Sequence, residues 1–597
     1  AAGFGQMIII VVFLPVFALT GVEAKMFAPM AAAFSFALVS AFIFSFTTIP
    51  AFAAQFLSGK VTDREPWIMR KIESIYQPII SLSLKFKAIV LSIGAVSILV
   101  GGILFSFLGS DFLPQLDEES IAIQFVRPTN ISIDQAVAMQ SLSEEIILEF
   151  PEVEKVLSRI GTAEVATDPM GVNVSDTYVI LKEKEMWPEV LGKQRNKAQL
   201  INAVKERLEQ LIPGQTMVFS QPIQLRFNEL LEGVRADVAL KVFGEDIEQI
   251  TDIAKQAAQV VSRIPGAGDS EEEIKGKSPV LRIQPKSEEL QKLGLPKENV
   301  LSTVETAIGG TEAGSFYEGI MRYPIIVRLS DEDRSSLVSV KNVPVGVGAN
   351  FTVPVQDLAE INIQDTYSDI RREAMKKRSA VLINVRGRDM ASFVKEAKSK
   401  VEEKVKLPSG IYLDWGGSFK NLQRAKSRLL IVVPLALLLV FIMIFMAFKS
   451  WLQTLMIFGC IPMALVGGVI SLMLNGLNFS ISAAIGFIAL SGIAVLNGIV
   501  LVSYFNKLKL DGLTGDQLIY EGTKMRLRPV LMTASAAAFG FLPMMLSTGS
   551  GAEVQRPLAS VVVGGIISAT ILTLIVLPVV YRLLEDKMKV VDSRMSH

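Results

Sequence analysis

One cysteine, Cys460, and one histidine, His597, are all the thiol and imidazole that the 597 residues contain. A lone cysteine excludes a disulfide framework. With no second soft or nitrogen ligand, any metal site must be assembled from carboxylates, amides and thioethers. The chain also lacks a glycine-rich phosphate loop, paired catalytic histidines and a nucleophile motif, so it reads as a non-enzyme without a resident cofactor. Net charge is absent too. The 59 Lys and Arg residues balance the 59 Asp and Glu residues, which leaves no basic surplus for a nucleic-acid partner.

Apolar sequence is abundant: half of the residues are hydrophobic. Runs long enough to span a bilayer, about 20 residues each, fall near 5–22, 28–54, 88–108, 429–448, 452–474, 481–504, 529–547 and 557–580. This predicts eight membrane helices and membrane lipid as their surroundings. No span carries an ionisable residue at its centre, and Asn497, Thr533 and Ser535 are the best polar candidates there. Lys60, Arg64, Arg70, Lys71, Lys85 and Lys87 sit in one connection, Lys507, Lys509, Lys524, Arg526 and Arg528 in another, and Arg582, Lys587 and Lys589 in the tail. The alternate short loops hold only Lys25 and Arg556. The positive-inside rule places the first set in the cytoplasm. Residues 109–427 are then one large domain on the outer side, the periplasm in a bacterium.

Residues 13–52 match residues 541–580 at 12 positions without a gap. Phe13-Leu14-Pro15, Thr20-Gly21, Pro29 and Pro50 return as Phe541-Leu542-Pro543, Thr548-Gly549, Pro557 and Pro578. Parallel repeats of this kind build the two lobes of many transporters. The second copy has a long stretch of sequence before it and the first has little. The reading therefore expects the C-terminal portion of a longer duplicated protein, with roughly the first two-fifths lying outside it.

Within 109–427 an amphipathic helix, a proline break and a strand recur. The breaks are Phe150-Pro151, Ile212-Pro213-Gly214, Ile264-Pro265-Gly266 and Leu407-Pro408. Ile247, Ile250, Ile253, Ala254, Ala257, Val260 and Val261 form one apolar helix face, and Ser132 with Gln135 has capping-box spacing. Strands are expected at Ile121 to Arg127, Thr177 to Leu181, Val238 to Phe243 and Val381 to Val385. Short alternating units of this type form small α/β sandwiches. Residues 282–362, with Gly309-Gly310 and a turn-rich stretch at Val343 to Asn350, read as a separately packed insert.

Several strings are specific: FLPVFALTGVE at 13–23, SQPIQLRFNE at 220–229, GFIALSGIAVLNG at 486–498, RLRPVLMT at 526–533 and GAEVQRP at 551–557. With them the chain resembles, over essentially its whole length, the heavy-metal efflux branch of the resistance-nodulation-division transporters, in particular the cobalt, zinc and cadmium type. The resemblance implies a membrane α-helical plus α/β fold, with a transmembrane bundle, eight of twelve helices present, and ferredoxin-like porter subdomains. It implies membrane helices at 1–54, a cytoplasmic amphipathic linker at 55–87 and a further membrane helix at 88–108. One porter subdomain would occupy 109–222, and a second 223–281 together with 363–427. A docking subdomain would occupy 282–362, five membrane helices 428–582 and a cytoplasmic tail 583–597. It further implies a homotrimer in the bacterial inner membrane that works with a periplasmic adaptor and an outer-membrane channel. The activity would be proton-driven antiport of metal cations, with the proton-carrying acids in a span that this chain lacks and Asn497 and Thr533 in support.

Copper and silver pumps of this branch carry Glu where Asn497 stands and Lys where Val530 stands. Their ion-binding methionines align with Gln124, Val174 and Glu229. Oxygen ligands in place of thioether favour a harder divalent ion. Candidate metal ligands are Asp168, Asp176, Glu229 and Glu232, with Gln124 and Asn228 alongside and Met170 as the available thioether. Arg226 and Arg235 are placed to pair with these acids in the empty state. Rival readings are monovalent copper or silver efflux and efflux of hydrophobic drugs. The second calls for an aromatic-rich cleft, whereas 109–240 holds only Phe112, Phe125, Phe150, Tyr178, Trp187, Phe219 and Phe227.

Overall fold

A computed structural model describes residues 2–56, 66–111, 117–162, 170–190, 193–274, 276–348, 351–367, 370–549 and 551–587. Lys60, Arg64, Phe112, Asp168, Lys589 and His597 lie outside them.

Seven helices among the described residues are long and apolar enough to cross a membrane: Ala24–Phe46, Lys87–Phe107, Ser418–Phe448, Trp451–Leu474, Ile481–Leu510, Gly515–Leu546 and Ala552–Leu584. The sequence predicted eight. The first expected span is instead a shorter apolar segment, an α-helix over Ala2–Phe13 that tightens into a 3-10 turn at Leu14–Ala18. Pro15 lies within that turn and cannot donate the backbone hydrogen bond that would continue the α-helix. The second expected span breaks at Thr47, so Thr48–Phe56 forms its own short helix.

Small residues let the bundle close. A Cβ on Gly467 would lie 2.3 Å from the carbonyl oxygen of Gly564. Helices Cys460–Leu474 and Ala552–Leu584 therefore touch backbone to backbone, where packing replaces hydrophobic exclusion as the attractive force. Ala464, Ile485, Leu490, Val495, Ile499 and Val561 are completely buried in the shared core.

Outside the bundle stand two antiparallel units of the same topology. In the first, β1 (Ser120–Val126), β2 (Val153–Ile160), β3 (Val174–Leu181) and β4 (Thr216–Ser220) line up in the order β2-β3-β1-β4. Helix Ile133–Leu148 connects β1 to β2, and Lys197–Leu211 connects β3 to β4. Ser132 caps the first, its Oγ accepting from Gln135 N at 3.3 Å. The helices end just before the Pro151 and Pro213 breaks, since the residue before a proline is driven out of the helical region.

The second unit uses β5 (Val238–Gly244), β6 (Ala267–Glu272), β7 (Arg372–Glu373), β8 (Lys376–Val385) and β9 (Tyr412–Gly417). β8 lies between β6 and β5, and β5 pairs on its other side with β9. β7 forms a short hairpin with β8. Both units thus follow the ferredoxin-like β-α-β-β-α-β order. Val238, Leu240 and Val242 are fully buried against Ile250, Ala254, Ala257 and Val261 of helix Ile247–Val261, each large side chain contributing about 2 kcal/mol of burial.

Between β6 and β8 the chain makes an excursion with its own core of Leu290, Val300, Val345, Val355 and Leu358. Strand Ser278–Pro285 pairs with Ala359–Thr366 at its root, and hairpin Thr311–Glu318/Met321–Val327 is exposed along most of its length. The stretch expected to be turn-rich near Val343 contains a strand, Pro344–Val347, paired with Phe351–Pro354. Alternating burial, with Val345 and Val347 inward, explains why its glycines do not make it a loop.

Candidate functional site

Strand periodicity sets the site. Gln124 on β1 faces Asp176 on β3 in register, and because side chains alternate across a sheet, Asp176 points away from its neighbours Ser175 and Thr177. Those two turn to the helix side, where Gln140 gathers them: Ser175 Oγ donates to Gln140 Oε1 at 2.6 Å and Gln140 Nε2 donates to Thr177 Oγ1 at 2.8 Å. Arg127, fully buried, donates to the same Oε1 at 2.6 Å. Burial depresses its guanidinium to about 10. The network fixes the strand from below.

Asp176 faces the opposite way and is 3 % exposed. Gln124 Nε2 donates to its Oδ1 at 3.0 Å and Arg159 Nη2 to its Oδ2 at 3.0 Å. Arg235 Nη1 reaches both oxygens, at 3.0 and 3.3 Å.

Arg235 arrives from the segment between the two units. Helix Pro222–Glu232 starts with proline in its first turn and stops at Gly233, whose φ of 65° is the left-handed cap that glycine accepts freely. The chain then turns back so that Arg235 Nη2 binds Glu229 Oε1 at 3.0 Å. Arg226 Nη1, one helical turn before, holds Glu229 Oε2 at 2.7 Å. Met170 joins this cluster, its Sδ lying 3.2 Å from Arg235 Nη1. Two carboxylates, an amide and a thioether therefore meet under three guanidiniums. Burial and the charge of Asp176 both push the Tyr178 hydroxyl up from its ordinary value.

Asn228 belongs elsewhere. It sits on the far edge of the same helix, where its Oδ1 accepts from Ser418 Oγ at 2.9 Å. Gln224 on that edge donates to Asp237 Oδ1 at 3.0 Å. The Asp237 carboxyl is raised to about 6 by burial, against the opposing pull of its bonds from Gln224, the Val385 backbone and Asn228 and of the charge on Arg386. Asn384 binds the Asp237 backbone N–H at 3.2 Å and the Phe219 carbonyl at 3.2 Å, tying the two units together.

Of the predicted ligands, Gln124, Asp176 and Glu229 converge and Asn228 does not. Glu232 ends the helix, but its side chain lies outside the described residues, as does all of Asp168. Val174 shares the Asp176 side of β3 by its even spacing. Among the described residues no three Asp, Glu, His or Cys side chains gather as a ready metal cluster, so a cation here would draw on Gln124 and Met170 as well as the two acids. In the bilayer, Asn497 is 4 % exposed within helix Ile481–Leu510. Thr533 bonds its own helix, Oγ1 donating to the Pro529 carbonyl at 2.6 Å. Sequence reasoning missed Arg159, Gln224 and Asp237. The period-two spacing of Arg159 on β2 carried a signal, whereas Asp237 depends on tertiary contacts.

The sequence profile of the AcrB/AcrD/AcrF family matches residues 2–585. The cation efflux system protein CzcA of Alcaligenes sp. (strain CT14) is 45 % identical over 590 residues, covering 98 % of this chain and 55 % of that protein. The nickel and cobalt resistance protein CnrA of Cupriavidus metallidurans is 41 % identical over 96 % of this chain and 54 % of its own length. The cation efflux system protein CusA of Escherichia coli (strain K12) is more distant, at 29 % identity over 97 % of this chain and 56 % of its own length. Among solved structures, a heavy metal efflux pump superposes with a TM-score of 0.85 at 33 % identity, covering 98 % of this chain and 58 % of the pump. The chain thus spans about half the length of the relatives it matches. On the family-wide match and the shared two-unit architecture, the chain belongs to the AcrB/AcrD/AcrF family of resistance-nodulation-division transporters.

Proposed function

We propose that this chain works within a proton-driven pump of the bacterial inner membrane that exports divalent heavy-metal cations such as Co, Zn, Cd or Ni. The observation that carries the reading is the arginine-neutralised pair Asp176 and Glu229 at the seam between the first ferredoxin-like unit and the segment that leads into the second. An empty site with two facing carboxylates and no counter-charge would be costly to bury. Arg235 offsets that cost, and Arg159 and Arg226 lower it further.

A divalent cation replaces guanidinium charge at the same oxygens. For it to enter, Arg235 must swing out, which frees Asp176 and Glu229 together. Gln124 supplies an amide oxygen by turning its carboxamide, and Met170 supplies a polarisable sulfur that zinc-like ions tolerate. Release reverses the exchange when the guanidinium returns. Cation entry and arginine departure are thereby one event. The cargo's names in similar proteins favour the divalent class: the relatives named for nickel, cobalt, zinc and cadmium are 40–44 % identical.

The spans described contain no acid at mid-depth, so proton carriage would rest on carboxylates contributed from outside this chain, with Asn497 as a buried neighbour. Assembly as a homotrimer, with a periplasmic adaptor and an outer-membrane channel, completes the proposal. The decisive measurement is calorimetric titration of the full-length pump with Zn(II) and Ag(I), beside growth on Zn, Co, Cd, Ni, Cu and Ag. Tighter binding of Ag(I) than of Zn(II) would overturn the divalent assignment.

A further inference from the structure

Helix Trp67–Lys85 has three faces, and among the described residues only one of them packs on protein. Tyr76, Ile80, Ser83 and Leu84 are buried against helices Gly515–Leu546 and Ala552–Leu584. Tyr76 Oη donates to the Leu574 carbonyl at 2.6 Å and locks that face down. A second face runs through Ile68, Ile75, Ile79 and Leu82 at steps of seven, four and three, and Phe86 continues it. These five side chains are 40 to 59 % exposed. An apolar stripe of that length left open to water would be an unusual surface. The third face carries Arg70, Lys71 and Lys85, all exposed. Among the described residues none of the three forms an ion pair. The only acid on the helix, Glu73, is engaged by Lys524 at 3.6 Å.

Position says what lies against this helix. A single non-helical residue, Phe86 with φ −111° and ψ 52°, separates it from the membrane helix Lys87–Phe107. It therefore lies at the depth where a span begins, on the side that the lysines and arginines assign to the cytoplasm. Apolar side chains on one flank and free cations on the next match the boundary between acyl chains and charged headgroups. Arg528 stands exposed on the adjoining helix Gly515–Leu546 and extends the positive field, while Lys524 beside it balances Glu73.

We infer that helix Trp67–Lys85 is a recognition surface for anionic phospholipid of the cytoplasmic leaflet, with the Ile68–Phe86 stripe seated among acyl chains and Arg70, Lys71 and Lys85 drawing in acidic headgroups. The inference does not depend on which cargo is transported.

The test uses the full-length protein in nanodiscs of phosphatidylcholine alone and of phosphatidylcholine with phosphatidylglycerol. Retained lipid is counted by native mass spectrometry after detergent release. Wild type should keep phosphatidylglycerol in preference to phosphatidylcholine, and the preference should fall as salt rises. The variant Arg70→Gln/Lys71→Gln/Lys85→Gln should lose the preference by roughly tenfold or more, since three surface charges are removed. Its melting temperature in phosphatidylcholine should stay near the wild-type value, because among the described residues none of the three forms an ion pair and the one ring contact, Lys85 over the exposed Phe86, is a surface one. Ile75→Ser/Ile79→Ser should instead lower retention of both lipids. Equal retention of the two lipids by wild type would overturn the inference. So would a triple variant that holds phosphatidylglycerol as wild type does, the result expected if a cytoplasmic protein covers this face.

Discussion

Arg235 and Asp176 meet in a two-oxygen contact, at 3.0 and 3.3 Å, across the seam between the first ferredoxin-like unit and the segment that leads into the second. Asp176 is set by strand register and Arg235 by the turn after Gly233, so the pair measures whether the seam is shut. The same guanidinium holds Glu229.

Replacing Asp176 by Asn or Glu229 by Gln keeps shape while removing one anionic ligand. Each should weaken Zn(II) binding by about tenfold or more, as loss of a charged oxygen from a small shell does. Arg235→Gln should act in the other direction on entry, raising the association rate because the guanidinium shared by both acids no longer has to be displaced. Titration and stopped-flow binding check both, and wild-type affinity in the Asp176→Asn and Glu229→Gln proteins would mean that these acids serve only the seam.

The triple change Gln124→Met, Val174→Met and Glu229→Met puts soft sulfur at three cleft positions. Preference should move toward Ag(I) or Cu(I), because thioether favours monovalent soft ions. Competition between Zn(II) and Ag(I) on the purified variant reads the shift. An unchanged ratio would place the cation away from Gln124 and Glu229.

Asp237 sets a pH dependence of stability. In the fold its carboxyl is raised to about 6, against roughly 3.9 in an unfolded chain. The native state therefore binds the proton more tightly. Its contribution is fully present below about pH 4 and is lost as pH rises through about 6, for a total of roughly 3 kcal/mol. Asp237→Asn has no proton to lose. The melting temperature of wild type relative to Asp237→Asn should fall between pH 4 and 7, and a constant difference would show that the carboxyl is ionised throughout.

Gly417 stands at φ 77°, and a Cβ there would lie 2.6 Å from the Asp237 carbonyl oxygen. Gly417→Ala should cost about 2 kcal/mol or more, combining left-handed strain with overpacking. Thermal unfolding in detergent measures this, and a loss below about 0.5 kcal/mol would mean that the junction yields.

Much of this architecture was legible because periodicity is local. The apolar face from Ile247 to Val261 announced its helix, and the proline breaks announced where helices stop. The eight apolar runs correspond to seven helices of full spanning length and one shorter apolar helix, Gly3–Ala18, because hydropathy does not register the tighter turn that Pro15 makes at its end. At the candidate site, Gln124, Val174 and Glu229 are singled out by the resemblance and Asp176 by lying beside Val174, and the structure brings Gln124, Asp176 and Glu229 together with Arg226 and Arg235. Asn228 was misjudged for a physical reason: one residue along a helix rotates a side chain by about 100°, which carries it from the cleft to Ser418. Asp237 was invisible, since nothing in its neighbours along the chain indicates burial under Gln224 and the Val385 backbone.

Strand β9 ends at Gly417 and the membrane helix begins at Ser418, with no linker between them. A helix that tilts or slides in the bilayer cannot do so without moving the edge of the second sheet, because β9 is hydrogen-bonded along β5. Ser418 also grips Asn228, on the helix that carries Glu229. The molecule thus has a push-rod rather than a tether: displacement of the membrane helix reaches the Asp176–Arg235–Glu229 cluster without a slack linker in between.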